Sequence, residues 1–473
     1  MEQTRVPHVL LLPFPAQGHI KPMLILAELL SHAGFQVTFV NTDHNHDSLL
    51  RRTDITAFCK RFPNFLFSSI PDGLPSDHPR SGIQYIRYLF GSIKEASKPA
   101  LCQLLISLKE ETGSQRGPPT CIITDGLMSY GIDVAEELQI PVIAFRTCSA
   151  YCLWVYFHIS KLVGEGEIPV SDENLDKPVA CISGLENVLR LRDLPSICRY
   201  PKGNPVLQFF IGETTALTRA SALILNTSHE IERPAISKLG PLFTNIYTIG
   251  PLRASPSDSF NGVLLQEDRS CMTWLDSQPS RSVLYISFGS LVILTRDQIL
   301  EFWHGIVNSG KRFLWVIRSD LIIGESGTGT VPVELDQGTE ERGCIVGWAP
   351  QEEVLGHPAV AGFLTHSGWN STMESMVAGV PMICWPQLAD QQVNSRGVSE
   401  VWKNGFDMKD TCDRSTVEKL VRDLMEDKRE EIMESTDKIA KMAREAVKEG
   451  GSSYTNLEKL IEDIKSMASK SKV

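Results

Sequence analysis

Apolar residues fall along this chain in short continuous runs bounded by Gly, Pro and Asn, not in the strict alternation of a sheet with one wet face. Continuous runs mark strands buried on both sides, as in parallel sheets whose faces are covered by helices. Residues 9–12 predict such a strand, 17–19 a glycine turn, 22–32 a helix and 36–41 a second strand. The strand pattern returns at 121–124, 142–145 and 222–225. After Ile249-Gly250-Pro251 and a polar stretch, 255–261, the order restarts: a strand over 282–288, a helix over 296–309, a strand over 313–317. Strand, helix, strand, repeated in each half, predicts an α/β protein of two Rossmann-like domains with a cleft between them. Toward the end, Val417, Leu420, Val421 and Leu424, then Leu457, Leu460, Ile461 and Ile464, recur at helical spacing and predict amphipathic helices.

Composition narrows the class. A chain of 473 residues with 42% hydrophobic side chains exceeds one ordinary core. A net charge of −11 leaves no basic excess for phosphate backbones, which argues against a nucleic-acid partner. The 11 cysteines are scattered without a CxxC pair and read as reduced thiols of a cytoplasmic protein. The apolar run before Pro13 and Pro15 is too short for a secretory signal or a membrane span.

The densest chemistry lies between Trp348 and Gln391, where glycine, tryptophan and polar residues fall where a core element needs none. An apolar run, 360–364, leads through Thr365-His366-Ser367-Gly368-Trp369-Asn370 to a helix predicted over 371–378, ending at Gly379 before Pro381. Such a turn presents the unpaired N–H groups and positive dipole end of a helix to an anion, and a diphosphate is the expected guest. His366 can donate an imidazole N–H, Asn370 and Ser371 add amide and hydroxyl donors, and Gly368 is expected to let backbone approach the ligand. Glu374, one turn on, can accept from two vicinal ribose hydroxyls. Trp348, ahead of Ala349-Pro350, can stack on a flat base for roughly 1–3 kcal/mol.

With its WAPQ, HPAV, THSGWNS, ES, GVP, WP and DQ elements in fixed order, this segment resembles the signature box of the family 1 UDP-glycosyltransferases of plant secondary metabolism. The resemblance implies the GT-B architecture: an acceptor-binding domain over 1–250, a linker over 251–275, a UDP-sugar-binding domain over 276–455, and a final helix, 456–473, packing back on the first domain. It implies that UDP-glucose is the donor and a small hydrophobic aglycone the acceptor, with no metal and no further cofactor, in a monomer. Asp390 and Gln391 then grip the glucosyl hydroxyls, Trp369 lines the sugar, Gln351 helps hold the ribose, and Ala349 belongs to the same donor site. Ser290 matches a position near the diphosphate, and Thr147 one near the sugar.

Transfer of a sugar to an alcohol needs a base, and histidine has the suitable intrinsic pKa. His19 follows the first strand at the edge where α/β folds place ligands, and Pro13 to His19 matches the family's catalytic-histidine segment. Asp125, after the strand 121–124, matches the catalytic aspartate and could orient the imidazole. Two decoys fail. Gly305 to Arg312 resembles a phosphate-binding loop but has Arg312 where Ser or Thr is required, and Gly324, Gly327 and Gly329 lack the dinucleotide spacing. Ser367 and Ala361 depart from the family's usual Cys and Gly. Segments 145–150 and 191–195 resemble the branch of iridoid and monoterpenoid glucosyltransferases; phenolic or flavonoid aglycones, a nucleotide-sugar epimerase and a non-catalytic UDP-sugar sensor are the competing readings. Arg146, following an apolar strand, suggests either pairing with an acidic acceptor or a structural ion pair at the domain seam.

Overall fold

The computed structural model describes residues 6–52, 55–80, 82–110, 116–253, 266–324, 327–328, 335 and 342–470, so the polar stretch 255–261 lies outside the described residues. The first half supplies β1 (His8–Leu12), β2 (Gln36–Thr42), β3 (Phe65–Ile70), β4 (Cys121–Asp125), β5 (Val142–Arg146), β6 (Ala222–Leu225) and β7 (Ile246–Thr248). All seven pair in parallel, in the order β3-β2-β1-β4-β5-β6-β7. Alternate residues of β1 enter two separate cores, Leu10 and Leu12 one and Val9 and Leu11 the other. That is why the strand reads as an unbroken apolar run.

The second half supplies β8 (Val283–Ser287), β9 (Leu294–Thr295), β10 (Arg312–Val316), β11 (Ile322–Gly324), β12 (Gly327–Thr328), β13 (Gly343–Val346), β14 (Val360–Thr365), β15 (Met382–Cys384) and β16 (Gly405–Asp407). Six of these form a second parallel sheet, β13-β10-β8-β14-β15-β16, while β9, β11 and β12 make a small side sheet. The phosphate-loop decoy is the end of the helix Arg296–Asn308, with Gly310 left-handed at φ 74° before β10 begins. The helix Ser452–Lys470 lies on the first sheet: Leu460, Ile461 and Ile464 join Val9 and Leu11 in one core, and Asn456 donates to Thr248 Oγ1 at 2.9 Å.

Each sheet reverses its strand order once at its middle. In the first, β1 lies between β2 and β4, with Leu12 opposite Thr124; in the second, β8 lies between β10 and β14, with Ser287 opposite Thr365. Loops leave in opposite directions at such a reversal and open a crevice at the carboxyl ends of the strands. One cavity is lined from both crevices, by His19 and Arg146 of the first half and Ser290 and His366 of the second.

Candidate active site

On the first sheet's side, Ala16 is extended (φ −127°, ψ 146°) and the helix Gln17–His32 begins immediately after it. His19 therefore sits in the first turn of this helix, not in the glycine turn expected from the sequence. Its Nδ1 lies 2.7 Å from Asp125 Oδ2 and 3.0 Å from Thr147 Oγ1. Asp125, the buried last residue of β4, accepts from Leu127 N at 2.8 Å through its other oxygen. Because a carboxylate only accepts, Nδ1 carries the proton and Nε2, which lacks a protein partner among the described residues, is left as a lone-pair acceptor. Thr147, expected near the sugar, is thus placed against the histidine ring.

Pro22 lies inside that helix and has no N–H for the carbonyl of Gly18, four residues earlier. The freed carbonyl accepts the Asn370 amide of the other domain at 2.9 Å. A helix defect in one half thus becomes a docking point for the other.

On the second sheet's side, β14 runs through His366-Ser367-Gly368 into the helix Trp369–Ala378, whose N-cap residue, Gly368, provides no side-chain cap. Its leading N–H groups face the cavity without an internal partner, the arrangement that favours an anion. Ser367 is buried and left-handed at φ 63°, a strained turn for a residue with a Cβ. The His366 ring fills the space that glycines leave open: a Cβ at Gly289 would come within 2.4 Å of its Nε2, and one at Gly368 within 2.6 Å. Gly368 therefore makes room for His366, which differs from the expected role of admitting ligand to backbone. Burial, then the charge of Arg318, pulls the His366 pKa down to about 4, so the ring is neutral near pH 7. Its Nδ1 is buried and has no hydrogen-bond partner among the described residues. Arg318, which the sequence did not single out, braces the loop after β8 by donating to the carbonyls of Gly289 and Val292.

Glu374 has both oxygens engaged. Lys21, from the first domain, contacts Oε1 at 2.8 Å, and the Gln351 amide donates to Oε2 at 2.7 Å. Gln351 also donates to Ser371 Oγ at 2.9 Å, and Lys21 reaches Glu352 at 2.6 Å. Burial opposes the Lys21 charge, but the carboxylates of Glu374 and Glu352 outweigh it and hold the ammonium above its ordinary range. Burial pushes the Glu374 carboxyl up, and Lys21 holds it back. Nothing in the sequence pairs Lys21 with residues more than three hundred positions away.

The remaining donor-box residues border the same cavity. Trp348 and Ala349 line it beside Gln351. Asp390 accepts from Asn394 at 2.8 Å through Oδ2, and burial raises its pKa. Gln391 spends its carbonyl oxygen on the N–H groups of Gln387 and Leu388, each at 2.8 Å, so its amide remains as a donor. Trp369 borders the cavity, but its indole N–H donates to the Asn226 carbonyl of the first domain at 2.8 Å and its ring lies 5.9 Å from Trp402. Its polar edge is a strut between domains. Among the described residues no helix is long and apolar enough to cross a membrane.

Residues 91–441 match the family described as UDP-glucoronosyl and UDP-glucosyl transferase. The chain is 49% identical to 7-deoxyloganetic acid glucosyltransferase of Catharanthus roseus, covering 98% of this chain and 99% of that one. It is 40% identical to 7-deoxyloganetin glucosyltransferase of Gardenia jasminoides, covering 96% and 97%. Its backbone matches the crystal structure of Os79 from O. sativa in complex with UDP with a TM-score of 0.82 at 27% identity, over 96% of this chain and 100% of that one. The architecture is GT-B, as the signature box implied, and with its match over most of its length the chain belongs to the UDP-glucosyltransferase family of enzymes.

Proposed function

We propose that this enzyme transfers glucose from UDP-glucose to a hydroxyl of an iridoid-type aglycone by a single inverting displacement. The observation that carries the reading is that His19, paired with the buried Asp125, lines one cavity with the uncapped N-terminus of the helix Trp369–Ala378. In this reading the acceptor proton passes to His19 Nε2 as the acceptor oxygen forms its bond to the anomeric carbon. The bond from that carbon to the diphosphate oxygen breaks, and UDP departs with its charge stabilised by the helix N-terminus, His366, Asn370, Ser371 and Ser290. Asp125 fixes the imidazole tautomer and balances its charge as it forms. Trp348 and Ala349 hold the uracil, Gln351 and Glu374 the ribose, and Asp390 with the Gln391 amide the glucosyl hydroxyls, with Thr147 and Trp369 bordering the sugar. Residues 1–250 serve the acceptor and 276–455 the donor, joined by 251–275 and braced by 456–473. A monomer suffices, since one chain supplies both halves of the cavity, and eleven free cysteines suit the reducing cytoplasm.

The test is turnover of UDP-glucose with a panel of iridoid and phenolic hydroxyl acceptors, with the anomeric configuration of the product read by NMR. A β-glucoside of an iridoid aglycone is expected. An α-glucoside would overturn the single displacement, and equal or faster turnover of UDP-galactose would overturn the donor assignment.

A further inference from the structure

Arg146 is the last residue of β5, and all five residues of that strand are buried. The residue is 2% exposed, its guanidinium carbon lies 5.1 Å from the centroid of the Tyr156 ring, and it borders the cavity. Its stem fills the place of a side chain at residue 126: a Cβ on Gly126 would sit 2.7 Å from Arg146 Cδ. The Nε is buried without a partner, and among the described residues the group makes no hydrogen bond and no ion pair. The three carboxylates that share its field are occupied elsewhere, Asp125 with His19 and Leu127, Asp390 with Asn394, and Glu213 with the backbone N–H and hydroxyl of Ser129. The expected ion pair at the domain seam is therefore not what holds Arg146.

A permanent charge buried without a bound counter-ion is costly, and arginine does not escape the cost by losing its proton. The position is also informative. Thr147, the next residue, touches the His19 ring, and Arg146 lines the same cavity as His19, so one bound molecule can present a hydroxyl to Nε2 and another group to the guanidinium. Around it the cavity is apolar and aromatic, with Phe14, Phe90, Leu127 and Phe210, the last stacked on Tyr156 at 5.4 Å. The diphosphate donors lie on the other domain, at the helix N-terminus beside His366.

Building on the glucosyl-transfer reading above, we infer that the acceptor is a carboxylic acid, that Arg146 is its counter-ion, and that a separate hydroxyl of the same molecule receives the glucose. The guanidinium fork matches a carboxylate in two parallel hydrogen bonds, while the apolar walls take the carbon skeleton. Pairing also withdraws the carboxylate as a nucleophile and leaves the hydroxyl as the group facing His19. The balance is that of the glucosyl transfer: the hydroxyl loses its proton to His19, one C–O bond forms, the C–O bond to UDP breaks, and the carboxylate is unchanged.

The experiment compares an iridoid hydroxy acid with its methyl ester as acceptors for the wild type, Arg146→Leu and Arg146→Lys, with UDP-glucose as donor. The wild type is expected to favour the acid. In Arg146→Leu the acid-to-ester ratio of kcat/KM should fall by roughly 10- to 100-fold, as for loss of a charged hydrogen bond, and Arg146→Lys should recover part of it. The product should retain a free carboxyl. An unchanged ratio, a wild-type preference for the ester, or glucose found on the carboxyl would overturn the inference. If Arg146→Leu does not fold, the wild-type ratio and the lysine variant still decide. UDP titrated into the variants separates this role from diphosphate binding, since a matching loss of UDP affinity would also overturn it. Failure of the wild type on both iridoids, with turnover of phenols, would instead refute the iridoid assignment.

Discussion

Asp125→Asn changes one atom of a buried carboxylate and should nearly abolish turnover. The side chain has two fixed duties: Oδ1 accepts from Leu127 N at 2.8 Å, and Oδ2 faces His19 Nδ1 at 2.7 Å. Asparagine has one oxygen and one NH2. The backbone donor cannot adapt, so the oxygen goes to Leu127 and the NH2 turns to Nδ1, which must then accept. The proton moves to Nε2, and the base faces the acceptor in the wrong tautomer. The charge is lost as well. At 2.7 Å and an effective dielectric near 20, a carboxylate stabilises a forming imidazolium by about 6 kcal/mol before hydration is counted. A loss of roughly 10²–10⁴ in kcat, about 3–5 kcal/mol, is expected. Asp125→Ala should be no worse, because the Thr147 hydroxyl, 3.0 Å from Nδ1, can still accept its proton. Steady-state release of UDP with a hydroxyl acceptor measures both variants, and donor KM should stay near the wild-type value. An asparagine variant retaining more than about a tenth of kcat would refute the tautomer reasoning.

Two further outcomes follow from buried charges. Lys21→Met removes the cation that opposes the effect of burial on Glu374, so the carboxyl should be pushed up further and donor KM should rise about tenfold near neutral pH and climb as pH falls; a KM that is unchanged and independent of pH would separate Glu374 from donor binding. Glu28 is buried in the helix Gln17–His32, and burial, opposed by Arg61, raises its pKa to about 8 from the ordinary 4.5. Between those values the unfolded chain releases a proton that the fold keeps, so this group's contribution to stability is full below pH 4.5 and is lost as pH rises through 8. In denaturant unfolding, the advantage of Glu28→Gln over the wild type should grow by about 1.4 kcal/mol per pH unit across that window. A difference constant with pH would show that the carboxyl is not held protonated.

Strands β1, β2, β4, β5, β6, β8, β10 and β14 could be read from apolar runs while β3, β7, β15 and β16 escaped that reading, and the boundaries were short at particular places. The strand expected over 121–124 ends at Asp125, and the one over 142–145 ends at Arg146. The helix expected from 22 begins at Gln17, and the one expected from 371 begins at Trp369. All the clipped residues but Ile20 are polar, glycine or aromatic, and they lie at a carboxyl edge of a sheet or at the start of the helix that follows. A rule that equates strand with apolar stops where the fold turns its regular structure toward a ligand. Such local conflicts between pattern and fold are expected at sites, and here they fall on His19, Asp125, Arg146, Trp369 and Asn370.

The two halves of the site differed in legibility for a physical reason. The half of the cavity proposed for the donor draws mainly on one continuous stretch around β14 and its helix, so fixed spacing carries the geometry. What spacing cannot carry is how the domains meet: Lys21 on Glu374, Asn370 on Gly18 and Trp369 on Asn226 join positions that only the assembled fold brings together. The half proposed for the acceptor has no such stretch. Phe14, Phe90, Leu127, Tyr156 and Phe210 come from five separated segments, and each taken alone reads as an ordinary core residue. An apolar wall constrains the shape of a ligand but not its polar groups, so substrate chemistry is written only where a charged residue interrupts it. Two arginines interrupt the first domain's wall: Arg87 is exposed and donates to the Tyr200 hydroxyl at 2.9 Å, whereas Arg146 is buried and has no hydrogen-bond partner among the described residues, which makes it readable as part of the proposed substrate site rather than of the scaffold.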